Sequence, residues 1–374
     1  MRKLFVYQIV MLTLGAAILG CTVPDPDPAP DYLIVTTSGV VSPELGPEGS
    51  IVFKDIPFAE PPAGAGRWAA PAPLTSPERV IATRSDPVMC PQPQSMASGG
   101  AEGDYLGSED CLYLDIYTPP GTADSAPAPV MLWIHGGSNL TGHKGTYDFS
   151  RFAARQQVVV VVINYRLGPL GWFVHPSLNG RDVTAPTLAN FGTLDMVEAL
   201  HWTQRNIAQF GGDPDNVTIF GESAGGRNVF SLLASPLTEG LFHRAIAQSG
   251  HVRSLTLAEA HNKGRQFPMV DRGSWEVVQA LGFDDENADA DGLRAVSTAD
   301  LLAAYFDLDE DHIQPAVISD GVVIPEGGLL EALAELWSLA APLTEVVGQR
   351  DLFIGSSRRG ALCVFVYTCI ANVP

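Results

Sequence analysis

Apolar residues along the chain fall into short continuous runs that alternate with stretches of helical spacing. Val130-Met131-Leu132-Trp133-Ile134, Val158 to Ile163 and Val217 to Phe220 are uninterrupted apolar runs, the mark of strands covered on both faces. Cys111 to Tyr117 alternates enough to predict another strand, stopped by Pro119-Pro120. Between these, Leu188 to Ile207 repeats Leu194, Val197, Leu200 and Trp202 at helical spacing. Ala224 to Leu233 is helix-competent and ends at Pro236, Arg244 to Ala247 reads as a short strand, and Glu331 to Leu339 as a helix. From Leu33 to Phe58 the runs are short and turn-separated, which predicts an antiparallel hairpin region. Pro57, Pro61, Pro62, Pro71 and Pro73 break the next stretch of chain into loop. Buried-type strands alternating with helices predict an α/β fold, a mostly parallel sheet with helices on both faces.

The first residues have a different pattern. Met1-Arg2-Lys3 is positively charged and Leu4 to Gly20 is nearly all apolar, with no stop-transfer pattern after it. That predicts a signal peptide over 1–20 rather than a membrane span. Ile18-Leu19-Gly20-Cys21 resembles a bacterial lipobox, which would put a lipid on Cys21 and hold the protein on the cell envelope. Cleavage near Ala16-Ala17, giving a periplasmic or secreted protein, is the alternative. The Pro- and Asp-rich run over 21–31 reads as a tether, and 32–374 as the globular part.

Composition narrows the function. A chain of 374 residues with 46% hydrophobic content can bury a large core. Its net charge of -20 excludes a nucleic-acid partner, because a phosphate backbone is met by Lys and Arg. Of the five cysteines, Cys90 and Cys111 flank a Gly-, Ser- and Pro-rich segment that a bridge would close in an oxidising compartment. Cys363 and Cys369 read as buried thiols. No metal-ligand or cofactor pattern is present, so none is expected.

Two motifs carry chemistry. Gly221-Glu222-Ser223-Ala224-Gly225 matches G-x-S-x-G and lies between a buried strand and a helix. In that context glycines relieve a tight turn and the serine hydroxyl projects from the sheet as a nucleophile. His135-Gly136-Gly137 comes directly after another buried strand. Attack on a carbonyl creates an oxyanion, and the N–H groups of Gly136, Gly137 and Ala224 are the fixed donors that would meet it. A glycine-rich helix entry and a plain glycine turn are the bland alternatives, and finding both motifs in one chain makes them the poorer reading. His135 precedes the donor loop and reads as structural.

These motifs, with their surroundings, resemble the carboxylesterase type B family, the cholinesterase-like branch of the α/β-hydrolases. Phe210 to Gly226 matches the family's serine signature and Glu109 to Asp115 its second signature. Phe53 to Pro62, Asn164 to Gly168, Asn190-Phe191-Gly192 with Asp195, Gln248-Ser249-Gly250 and Asp320-Gly321 match further. The resemblance implies an α/β-hydrolase fold and hydrolysis of a small carboxylic ester through an acyl-enzyme on Ser223. It also implies a Cys90–Cys111 bridge near the gorge, and supporting hydrogen-bond roles for Glu222 and Ser249.

The rest of a triad is harder to find. The fold calls for Ser, then acid, then His, yet the last of eight histidines is His312, ahead of the Asp320-Gly321 pair. The family's acid run matches Phe353 to Ala361 only in part, with Ser357 in the asparagine place and no carboxylate before Gly360. Glu345 and Asp351 are the nearest carboxylates. The family match weakens after residue 340, and the expectation is a fold lacking its C-terminal part. A family member serving as a binding or adhesion module, or a non-functional truncated product, is the competing expectation. Oligomeric state has no signature here.

Overall fold

Val159–Ile163 forms a strand in which every residue is buried, and the sheet is built outward from it. The computed structural model describes residues 32–94, 105–121, 126–179, 187–268, 270, 273–284, 287–306, 315–339, 351–354 and 364–367. The expected leader and tether over 1–31, and with them Cys21, lie outside the described residues.

The main sheet has nine strands: β1 (Glu44–Leu45), β2 (Ile51–Pro57), β3 (Tyr113–Thr118), β4 (Ala128–Ile134), β5 (Val159–Ile163), β6 (Gly212–Glu222), β7 (Arg244–Gln248), β8 (Asp351–Ile354) and β9 (Val364–Tyr367). Their order is β8-β9-β7-β6-β4-β5-β3-β2-β1. The middle five, β9-β7-β6-β4-β5, are parallel. Antiparallel strands flank them, β3, β2 and the two-residue β1 on one side and β8 on the other. Parallel neighbours need crossover connections, and the apolar runs of β4, β5 and β6 fit strands covered on both faces. The antiparallel flank arises from the short, turn-linked runs near the N-terminus. A separate hairpin, Ile34–Thr36 with Gly39–Val41, packs outside this sheet.

The helices include α1 (Ser150–Gln156), α2 (Phe191–Asn206), α3 (Ala224–Ala234) and α4 (Gly328–Leu339). Every residue of α3 is buried, which a surface helix would not tolerate. The Trp202 indole N–H in α2 donates to Ser38 Oγ at 2.6 Å, satisfying its polar tip inside the core. No helix among the described residues is long and apolar enough to cross a membrane.

Buried charges pin the loops between these elements. Arg166 and Asp195, 2% and 0% exposed, pair at 2.7 Å, and the carboxylate also accepts the Arg166 backbone N–H at 2.9 Å. The guanidinium donates further to the Ala69 carbonyl. Lys144 Nζ sits between Asp55 (2.8 Å) and Asp115 (2.6 Å), all three buried. Burial holds the Asp115 carboxyl above its ordinary range, against the pull of Lys144. Asp320 accepts the N–H groups of Val322, Val323 and Ile324 on one oxygen and the Asn190 amide on the other, so it locks a turn onto the start of α2. Cys90 and Cys111 are joined by a disulfide.

Removing one partner of a buried pair leaves the other charged and unpaired. Asp195→Ala should therefore lose about 3–5 kcal/mol of stability in urea unfolding, while Arg166→Met with Asp195→Leu should lose clearly less. Equal losses would mean that the unpaired guanidinium is not the cause.

Candidate active site

Ser223 comes directly after β6 and stands at the N-cap of α3 with φ 57° and ψ -117°. A non-glycine residue in that region costs about 1–3 kcal/mol, and the surroundings must enforce it. They do so with backbone bonds and lack of space. The Ser223 N–H donates to the Gln248 carbonyl at 2.9 Å, and the Ser223 carbonyl accepts the Arg227 N–H at 3.0 Å. The helix then passes so close to the end of β4 that a Cβ on Gly225 would stand 2.0 Å from the Ile134 carbonyl oxygen. Only glycine fits there.

The same crowding brings the second motif to the serine. β4 and β6 pair in parallel with Ile134 opposite Gly221, so the loops leaving the two strands emerge side by side. A Cβ on Gly136 would lie 3.3 Å from Ser223 Cβ and 2.8 Å from the Glu222 carbonyl oxygen. Among the described residues the N–H groups of Gly136, Gly137 and Ala224 donate to no protein acceptor. Three donors are thus left available around the end of α3, where the helix N-terminus also favours an anion. Ser223 is half-buried, and Glu222 and Ser249 are exposed beside it. Ser249 comes after Gln248, the residue opposite Glu222 in the β6–β7 ladder, and takes a left-handed φ of 52°.

Among the described residues no histidine hydrogen-bonds to Ser223. His135 is buried, stacks on Tyr165 with ring centroids 4.3 Å apart, and donates from Nδ1 to the Gly136 carbonyl at 2.8 Å. Burial drives its pKa down to about 4, so the ring is neutral and serves as a prop under the loop. His143, His243 and His251 each use Nδ1 to accept a nearby backbone N–H. His312 and Glu345 lie outside the described residues. Asp351 opens β8 at the far edge of the sheet. Asp320, which the sequence offers as a landmark, is occupied by its turn.

Sequence reasoning overlooked the residues that shape the donor loop from behind. Tyr165 donates its hydroxyl to the His135 carbonyl at 2.6 Å. Asn139 and Asn228 pair their buried side-chain amides, linking the loop to α3. Gln92 reaches the loop's far end at Gly142. Nothing in spacing or periodicity marks such contacts, since each joins residues distant in the chain.

The chain is similar to known proteins over most of its described length. Residues 38–344 match a model described as the Carboxylesterase family. The chain is 38% identical over 279 residues to a para-nitrobenzyl esterase of Bacillus subtilis (strain 168), covering 73% of this chain and 54% of that protein. It is 47% identical over 213 residues to a cocaine esterase of Homo sapiens, covering 54% of this chain and 36% of the relative. A solved PNB esterase superposes with a TM-score of 0.69 at 36% identity, covering 81% of this chain and 60% of that one. The Geobacillus stearothermophilus carboxylesterase EST55 at pH 6.8 superposes with a TM-score of 0.67 at 35% identity, covering 81% and 60%. The matched stretches span between 35% and 58% of the length of these curated relatives.

Gly225→Ala forces a methyl group onto the Ile134 carbonyl and should cost about 1–3 kcal/mol or more in urea unfolding; wild-type stability would mean that α3 is not so tightly seated. His135 takes up a proton in the unfolded chain below about pH 6.5 but not in the folded one until about pH 4. Its contribution is therefore complete above pH 6.5 and is lost as the pH falls to 4, a decline of about 3 kcal/mol. His135→Gln, which keeps a donor for Gly136, should flatten that part of the stability–pH curve.

Proposed function

The chain belongs to the carboxylesterase family, and on that premise we propose that it hydrolyses small carboxylic esters through an acyl-enzyme formed on Ser223. The observation that carries this reading is the contact between the two motifs, a Gly136 Cβ position 3.3 Å from Ser223 Cβ. That closeness supports a nucleophile on Ser223 served by the N–H groups of the neighbouring loop and of the start of α3. Ser223 Oγ would attack the ester carbonyl, and the N–H groups of Gly136, Gly137 and Ala224 would take the negative charge that appears on its oxygen. Such donors are fixed beforehand and need not reorganise as charge develops, and each is worth about 10²–10³ in rate. Collapse of the tetrahedral species releases the alcohol, and water then hydrolyses the acyl group from Ser223. The attacking hydroxyl gives up a proton to a base, and His135, neutral and turned onto Gly136, is not that base. Glu222 and Ser249 would support the site through hydrogen bonds.

The N-terminal pattern supports a second part of the reading. Export, with Cys21 carrying a lipid, would keep the site outside the cytoplasm, where a Cys90–Cys111 bridge persists.

A fluorophosphonate probe reacts with an activated serine and decides the central point. The intact chain should be labelled on the peptide containing Ser223, and Ser223→Ala should lose both label and p-nitrophenyl ester hydrolysis. A folded chain that takes no label would refute the acyl-enzyme reading. Cys21→Ser should abolish incorporation of labelled fatty acid in a bacterial host, and unchanged incorporation would remove Cys21 as the anchor.

A further inference from the structure

The loop from Gly136 to Gly142 supplies two of the three donors, and its two ends are held by different means. The near end continues β4 and is fixed by the Tyr165 hydroxyl on the His135 carbonyl at 2.6 Å. The far end is held by a side chain some fifty residues earlier. Gly142 N–H donates to Gln92 Oε1 at 2.9 Å, and Gln92 Nε2 donates to the Gly142 carbonyl at 3.0 Å. A primary amide thus pairs with a peptide group in both directions, and the second hydrogen of Nε2 goes to the Cys90 carbonyl at 3.1 Å. Gln92 is 6% exposed, so water does not compete freely for these bonds.

The surroundings of Gly142 give this clamp its meaning. A Cβ there would stand 2.5 Å from His135 Nδ1 and 2.8 Å from the Gly136 carbonyl oxygen. That oxygen belongs to the same rigid peptide unit as the Gly137 N–H. His135 Nδ1 also donates to it. The orientation of one oxyanion donor is therefore set by His135 and by the Gly142 backbone behind it, and Gly142 is set by Gln92. Gln92 is in turn anchored on Cys90, which the disulfide ties to Cys111 just ahead of β3.

We propose that Gln92 is a positioning residue for the oxyanion loop, acting through Gly142 on the Gly136–Gly137 peptide. The catalytic half of this inference rests on the esterase reading; the mechanical half does not.

The test uses the full chain with its disulfide intact, and the variants Gln92→Ala and Gln92→Glu. Hydrogen exchange of a peptide spanning residues 134–144 is read beside kcat and KM for a p-nitrophenyl ester. In Gln92→Ala, exchange in that peptide should speed up by about tenfold or more, kcat should fall by about tenfold to a hundredfold, and KM should stay within about twofold. Glutamate keeps an acceptor for the Gly142 N–H but turns a charge towards two carbonyl oxygens. The kcat of Gln92→Glu relative to the parent should rise as the pH is lowered, because a protonated carboxyl regains a donor. If Gln92→Ala fails to fold, Gln92→Met fills the volume without the amide and takes its place. Parent-like exchange and kcat would overturn the proposal, as would faster exchange spread evenly over the chain with kcat and KM moving together. An inactive, unlabelled parent would refute the esterase reading instead, and exchange alone would then decide whether Gln92 holds the loop.

Discussion

The structure depends on a close approach of backbones. Helix α3 leaves β6 and turns across the end of β4 with its first turn touching the Ile134 carbonyl, and no side chain fits between them. That contact sets the direction of the helix, and the helix sets the φ of Ser223. It also aligns the ends of β4 and β6, so that the chain after Ile134 has to run past the serine. A methyl group at Gly225 would lever these elements apart, because interiors packed to crystal density transmit a displacement instead of absorbing it.

Around this contact the protein uses charge as a fastener for its loops. The Arg166–Asp195 pair, the Lys144–Asp55–Asp115 group and the Asp320 turn are all largely withdrawn from water. Each carboxylate accepts several donors, which offsets the cost of burying its charge. The exposed carboxylate beside the serine, Glu222, is held by position in the chain and not by such a network. The distinction between carboxylates buried in networks and a carboxylate left exposed is visible only in three dimensions.

Much of the fold was legible from the chain. Val159–Ile163 and Val130 to Ile134 read as strands covered on both faces because nothing polar interrupts them, and α2 and α3 read as helices from their spacing and from Pro236. The antiparallel flank was legible only as a cluster of short runs, since the pairing of β2 with β3 joins residues about sixty positions apart. At the site, the local motifs stood out because glycines at fixed offsets are rare without a reason. Gln92 and the Asn139–Asn228 pair did not, because a single polar residue that finds its partner across the fold leaves no periodic trace. His135 was readable as structural from its place before the loop, whereas its neutral ring is a product of burial against Tyr165.

The edge strand β1 is only two residues long, and Glu44 within it pairs with Lys54 of the neighbouring strand at 2.7 Å. A sheet edge is a template on which a stranger's strand can grow, and its danger scales with the length of open ladder it presents. Here that side of the sheet ends in a stub guarded by a salt bridge. A strand growing along β1 would find two residues to pair with and a charged pair to strip of water, which discourages pairing along that stretch of the edge.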